Sequence, residues 1–162
     1  MNSITHLARF HVSPERVYGV IGATDYLRQW WMREAPFGGE VGGAARSEWI
    51  CRSVDARVRF DDRRPPASVR WKTIPVSSPI TGWDATTIAF DLRAVEDGTF
   101  LALTHGGFEE ADDDYDRTAI GWASCLLGLQ RRLETGTEPA RAPWRTDVFP
   151  NFSRPLTLTA ER

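Results

Sequence analysis

Histidines and cysteines are the side chains in this sequence best suited to acid–base or nucleophilic chemistry. His105 follows Leu101 and Leu103 at intervals of two, so in a β-strand it would share their face. If that face points inward, the imidazole can orient a ligand or exchange a proton near neutral pH. The alternative is a hydrogen-bonded structural histidine, and this alternative applies more strongly to His6, which has the phase of Ile4.

The other nucleophile candidates lack partners in the sequence. Ser124 has no adjacent histidine, and its segment Gly-Trp-Ala-Ser-Cys is typical of a helix, not of a strained nucleophile elbow. Cys125 is interpreted as a small buried residue. The histidines and the cysteines Cys51 and Cys125 do not have metal-ligand spacing, so the sequence predicts no metal and no cofactor.

An acidic run precedes the last predicted helix. Oxygen ligands of this kind can hold a divalent cation. Solvated acids beside the positive end of a helix explain the run equally well, and we favour that interpretation. The run consists of Glu109, Glu110, Asp112, Asp113, Asp114 and Asp116.

Composition narrows the class of protein. The chain has 162 residues, 41% of them hydrophobic and 26% charged, with a net charge of −2. These values predict one globular domain without a field that attracts nucleic acid or an anionic membrane. No apolar run approaches the roughly 20 residues of a membrane span, and two cysteines make no disulfide framework, so we expect a cytoplasmic protein.

Hydrophobic periodicity predicts an α+β order. A strand over 3–12 leads into a short helix that begins at Ser13-Pro14 and ends at Gly22, and a second short helix follows over 25–31. A turn is predicted over 62–66. Further strands with a period of two are predicted over 45–52, 55–61, 69–73, 86–92 and 100–108, which favours an antiparallel sheet.

The last helix has the clearest pattern. Apolar residues recur at intervals of four and three from Tyr115 to Leu133, and Gly136 follows the last turn. Such a helix would cover the concave side of the sheet, with apolar or aromatic groups pointing inward on both sides. Residues 137–162 are rich in proline and aromatic residues and form a separate extension after the domain 1–136.

Charged residues on the strands are predicted to face outward as cross-strand pairs. The basic members are Arg57, Arg59, Arg70, Lys72 and Arg93, and the acidic members are Asp55, Asp61, Asp62 and Asp91.

Four ordered motifs carry a family resemblance. They are SPERVYGVIGATDYLRQWW (13–31), GGEVGG (38–43), EDGTFLALTHGGF (96–108) and IGWASCLLGLQRRLETG (120–136). Together they make the sequence similar to START-like, birch-pollen-allergen-like (SRPBCC) domains of the heat-shock-protein-90 ATPase activator homologue group. The resemblance implies a helix-grip fold, in which six to seven antiparallel strands wrap around the C-terminal helix and enclose a cavity.

Three functions stay open on this scaffold. The first is binding of a small apolar or aromatic ligand between sheet and helix, with polar selectivity from His105 and Ser47. The second is a polyketide cyclase- or hydratase-like enzyme with His105 as the acid–base group. The third is a protein-interaction or co-chaperone module. Formation of a homodimer also stays open. The candidate lining residues are Trp30, Trp31, Ser47, Trp49, Trp71, Phe90, His105, Trp122 and Leu126.

Overall fold

A computed structural model describes residues 1–22, 37–40, 47–51, 56–74 and 82–136. For 37–40, 47–51 and 56–57 the description is confined to the backbone. The second short helix predicted over 25–31 and the extension 137–162 lie outside the described residues.

An antiparallel sheet of seven strands forms the body of the described chain. In space the strand order is β1-β7-β6-β5-β4-β3-β2, so the first strand pairs with the last. This arrangement confirms the α+β helix-grip architecture. The strands are β1 (Asn2–Phe10), β2 (Phe37–Glu40), β3 (Ser47–Cys51), β4 (Ala56–Arg64), β5 (Ser68–Ile74), β6 (Thr87–Val95) and β7 (Gly98–Phe108).

The first helix, α1 (Pro14–Ile21), has the predicted limits. Ser13 precedes it in extended conformation, although its side chain makes no capping hydrogen bond. The helix ends at Gly22, whose N–H donates to the carbonyl of Tyr18 over 2.8 Å. Val17 and Ile21 are fully buried, which fixes α1 against the core.

The long helix, α2 (Asp113–Thr135), also begins and ends at the predicted residues. The Asp112 carboxylate accepts hydrogen bonds from the backbone N–H groups of Asp114 and Tyr115, which otherwise lack partners in the first turn. Gly136 ends the helix in the left-handed region with φ of 69°, where glycine carries no Cβ penalty. None of the helices in the described ranges combines the length and hydropathy that crossing a bilayer requires.

Side chains of α2 bind the outer edge of β1. The Tyr115 hydroxyl donates to the carbonyl of Ser3 over 2.8 Å, and the Gln130 amide donates to the carbonyl of Arg9 over 2.9 Å. Among the described strands none pairs with this edge of β1, so side chains of α2 serve as partners for its backbone groups. These bonds hold the two ends of the helix at one edge of the sheet.

One predicted turn is wrong. The sequence 62–66 was expected to be a turn, but β4 continues to Arg64, and only residues 65–67 turn the chain, with a cis bond between Pro65 and Pro66. Asp62 pairs with Arg70 in the ladder, and its carboxylate accepts from Arg64 Nε at 2.8 Å. Charged residues can continue the strand here because Asp61 and Arg64 are exposed to water and Arg63 lies over the Phe60 ring at 4.0 Å, so their polarity does not indicate a turn.

The outward face carries the expected cross-strand ion pairs. Arg70 contacts Asp91 at 2.6 Å and Lys72 contacts Asp61 at 3.1 Å, both between exposed side chains. These two pairs confirm the prediction for four of the charged residues, whereas Arg93 lies over the Phe100 ring at 5.2 Å. Asp55 and the side chain of Arg57 lie outside the described part of the chain.

Candidate functional site

The interior between the sheet and α2 holds every predicted lining residue whose side chain is described. Trp71 and Phe90 come from β5 and β6, His105 comes from β7, and Trp122 and Leu126 come from α2; all are buried. Of the other candidates, Ser47 and Trp49 lie on β3 without a described side chain, and Trp30 and Trp31 lie outside the described residues.

Aromatic rings are the largest fully buried side chains of this interior, with Trp71 and Trp122 first among them. The ring centroids of Phe60 and Trp71 are 5.5 Å apart, and those of Trp71 and Phe90 are 4.7 Å apart. Trp122 faces this group from the helix, 6.0 Å from Phe90 and 6.4 Å from Trp71. We call these four residues the aromatic wall. Tilted and edge-to-face contacts at such distances are the favoured geometry of aromatic pairs.

His105 is held by hydrogen bonds on both ring nitrogens. The Trp122 indole N–H donates to Nδ1 over 3.0 Å. An indole can only donate, so Nδ1 is unprotonated, and Nε2 must carry the proton of the neutral ring. Nε2–H then donates to the Thr86 hydroxyl over 2.8 Å, and that hydroxyl donates to the carbonyl of Trp83 over 2.7 Å. The contacts fix both the tautomer and the ring orientation.

The chain of hydrogen bonds continues in both directions. Thr73 bonds the carbonyls of Trp83 and Thr86 from β5, and the Trp83 indole donates to the Thr118 hydroxyl on α2 over 2.9 Å. The Thr118 hydroxyl donates to the carbonyl of Asp114 over 2.7 Å. We call the linked residues Thr73, Trp83, Thr86, His105, Thr118 and Trp122 the polar network. It ties β5, β7 and α2 together inside the core.

Burial lowers the pKa of His105 to about 3. The cause is desolvation, which disfavours the charged imidazolium in an apolar interior. Its hydrogen-bond partners are Thr86 and Trp122, and Trp83 and Phe108 lie against its ring at 4.8 and 4.5 Å. Within the described contacts, no carboxylate bonds to the ring, so nothing there offsets the desolvation.

His6 also reaches inward, toward the helix. Its Nε2 lies 2.8 Å from the carbonyl of Ala119, an acceptor, so Nε2–H is the donor. The residue is half-buried and joins β1 to α2. This position matches the structural alternative for His6.

Sequence reasoning missed four members of the polar network as site residues. Thr86 was in phase with Ile88 and Phe90, so its inward direction could have been inferred from period two. Thr118 lies four residues before Trp122 on the buried side of α2, which is a second usable signal. The expectation of a purely apolar or aromatic interior was therefore wrong, because buried threonines bond one another and the histidine. Thr73 follows Val69 and Trp71 at intervals of two, so its inward direction could have been inferred in the same way, whereas Trp83 had no such pattern.

A surface pocket of about 360 Å³ opens where β7 leads into α2. Glu109, Glu110 and Asp112 of its lining belong to the acidic run that could have held a cation. In the ranges that the structure describes, no group of three or more His, Cys, Asp or Glu residues is arranged to hold a metal ion. Asp112 caps the helix and Asp114 pairs with Arg117 at 2.8 Å. The lining residues are Gly82, Asp84, Gly107, Phe108, Glu109, Glu110 and Asp112.

The seven-stranded sheet, the long C-terminal helix and the aromatic interior together define a helix-grip domain. The profile of one family, "Activator of Hsp90 ATPase homolog 1-like protein", matches residues 11–134. The chain belongs to this family, which is part of the SRPBCC superfamily. A sequence comparison with curated proteins returns no match.

Solved structures agree with this assignment. The Aha1 dimer from Colwellia psychrerythraea is 28% identical, with a TM-score of 0.71, over 85% of this chain and 99% of that one. A protein from Staphylococcus saprophyticus is 18% identical, with a TM-score of 0.64, over 86% of this chain and 96% of the other. A protein from Mesorhizobium loti is 17% identical, with a TM-score of 0.62, over 85% and 100%. The last two similarities establish the fold alone.

Proposed function

We propose that this protein binds a small apolar or aromatic ligand between α2 and the β4–β6 part of the sheet. The observation that supports this function is the aromatic wall. Phe60, Trp71, Phe90 and Trp122 converge from three strands and one helix, and all are buried inside the helix-grip interior. Ligand sites in proteins are mostly apolar and aromatic, with a few polar groups that set orientation.

The electrostatics of the interior select the class of ligand. Its buried polar groups are threonine and serine hydroxyls and one neutral imidazole, so the described core offers an ionised ligand no countercharge. Moving a charged group into such an interior carries a large desolvation cost. A neutral planar compound, such as a flavonoid or an aromatic polyketide, loses little hydration there and can stack against the rings.

We assign His105 a positioning role in this site. Both nitrogens are engaged with protein groups, and a pKa of about 3 leaves the ring a weak base at neutral pH. Through Nδ1 it holds the Trp122 indole, which is part of the aromatic wall. This geometry favours binding over the cyclase-like alternative, which needs a histidine free to exchange protons.

Four further residues belong to the proposal on sequence pattern alone. Trp30, Trp31, Ser47 and Trp49 are kept as lining candidates, with Leu126 beside Trp122 on α2.

The test is a thermal-shift screen with three neutral probes, naringenin, emodin and cholesterol, and with myristate as an ionised probe that should not bind. A probe at 100 times its dissociation constant should raise the free energy of unfolding by about 2.7 kcal/mol. Trp71→Leu should weaken binding of the active probe, while Lys72→Ala, the neighbouring residue on the outward face, should not. Melting temperatures unchanged by all three neutral probes, or equal binding by the Trp71→Leu protein, would overturn the proposal.

A second proposal concerns assembly. The Colwellia relative is described as a dimer. We propose that this chain also forms homodimers. The observation that favours this is the exposure of two apolar residues of α2, Ile120 and Leu127.

A further inference from the structure

The solvent side of α2 carries a short apolar stripe between two opposite charges. Ile120 is 43% exposed and Leu127 is 62% exposed. At 3.6 residues per turn, the stripe positions lie within about 80° of one another around the helix axis. They are opposite the face that packs on the core through Trp122, Cys125 and Leu129. The outer stripe, as we call it, consists of Asp116, Ile120, Ala123, Leu127 and Arg131.

Ile120 and Leu127 differ from the other exposed apolar residues of the described chain because they are aligned on one face of a helix. Leu7 is 65% exposed, but it lies alone on the outward face of β1, and single exposed apolar residues are common on protein surfaces. Ile120 and Leu127 are seven residues apart on one face, with the small Ala123 between them. Exposed apolar side chains aligned on one face of a helix indicate a contact surface.

We propose that the outer stripe is the surface by which two copies of this chain associate, with their α2 helices antiparallel. The inference rests on the proposed homodimer and is independent of the proposed ligand. A two-fold axis near Ala123 places Ile120 of each copy against Leu127 of the other, as an isologous contact requires. The spacings of four, three, four and four residues suit side-chain packing between nearly aligned helices, and Ala123 allows close approach at the axis.

Charge selects the antiparallel orientation. Asp116 lies one turn before Ile120, and Arg131 lies one turn after Leu127. Antiparallel pairing brings Asp116 of each copy beside Arg131 of the other and also opposes the two helix dipoles. Parallel pairing would instead place like charges together. Both side chains are exposed on the solvent side of α2.

The size of the stripe sets the expected affinity. α2 has 23 residues, which corresponds to a length of about 35 Å. One helix pair of this length buries less than a standard interface of about 1,600 Å². We therefore expect a reversible dimer with a dissociation constant in the micromolar range.

The test is analytical ultracentrifugation of the full chain from low to high micromolar concentration. We expect a monomer–dimer equilibrium in the parent protein. Leu127→Glu should raise the dissociation constant at least about 100-fold, because it removes two leucines from each interface. Leu7→Glu, a change at an equally exposed leucine on the outward sheet face, should leave the equilibrium unchanged. Circular dichroism should show that both variants are folded.

A charge exchange tests the orientation separately. Asp116→Arg and Arg131→Asp should each weaken the dimer, and the double variant should restore it.

A parent chain that stays monomeric overturns the homodimer and its surface together, including the case in which residues 137–162 of the same chain cover the stripe. A dimer that persists in Leu127→Glu overturns the surface alone. The ligand screen is unaffected by either result.

Discussion

The two faces of the sheet around β5–β7 carry polar groups in opposite states. On the inward face, His105 and Thr86 are neutral, buried and bonded to protein on every side. On the outward face, Arg70 and Asp91 are charged, exposed and paired with each other in water. Breaking a hydrogen bond on the inward face should therefore lower the free energy of unfolding much more than breaking an ion pair on the outward face.

Water explains the difference. An ion pair that is broken on the outward face is replaced by hydration, so exposed pairs contribute little to stability. A partner removed from the polar network leaves a buried donor or acceptor that water cannot reach. The inward face should thus dominate the stability of the domain, and it also positions the aromatic wall.

Removal of the Trp122 side chain should give the largest effect. Trp122→Ala deletes a ring that contacts Trp71 and Phe90, and it also removes the indole N–H that donates to His105 Nδ1. We expect the free energy of unfolding to fall by about 3–5 kcal/mol in urea denaturation. Lys72→Ala, on the outward face of β5, is the matched control and should change it little. A loss below about 1 kcal/mol for Trp122→Ala would contradict the account.

Acid should act on the inward face through His105. Its folded pKa of about 3 lies below the ordinary value of 6.5, so the unfolded chain takes up the proton first as pH falls. The stabilisation is complete above pH 6.5 and is lost progressively from there toward pH 3. Between pH 7 and pH 5 this one group should remove about 2 kcal/mol of stability.

The control for the pH effect is His105→Gln, which cannot titrate in this range. Its free energy of unfolding, measured by urea denaturation at each pH, should vary less between pH 7 and pH 5 than that of the parent. Equal slopes in the two proteins would show that His105 is not the group responsible.

A single hydroxyl of the polar network should have a smaller effect. Thr86→Val keeps the shape of the side chain but removes the acceptor of His105 Nε2–H and a donor to the carbonyl of Trp83. We expect a loss of about 1.5 kcal/mol by urea denaturation. Thr87→Val, at the next and exposed position, should have nearly no effect. If the two variants are equally stable, the network does not contribute to the fold.

The smallest effect is expected at the outward ion pairs. Arg70→Ala and Asp91→Ala, analysed with the double variant in a thermodynamic cycle, should show a coupling energy of at most about 1 kcal/mol. High salt should reduce that coupling further. A coupling larger than the Thr86→Val effect would reverse the comparison between the two faces.

Much of the fold follows from local pattern, whereas the partners inside it do not. Period two assigned His105 and Phe90 to the inward face, and the helical spacing assigned Trp122, because side-chain direction depends only on position along an element. Pattern alone could not show that Trp122 donates to His105, since this bond joins residues from different elements. Trp83 lies in a segment without periodicity, so its contacts with His105 and Thr118 became visible only in three dimensions.

The central claim, a ligand held against the aromatic wall, is tested most directly by NMR of the indole N–H groups. The chain has 7 tryptophans, and the signals of Trp71 and Trp122 can be assigned from their Trp→Phe variants. Titration with the probe that gives the largest thermal shift should move these two signals in a saturable way. If neither signal moves while the probe is bound, the ligand lies elsewhere and the proposed site is wrong.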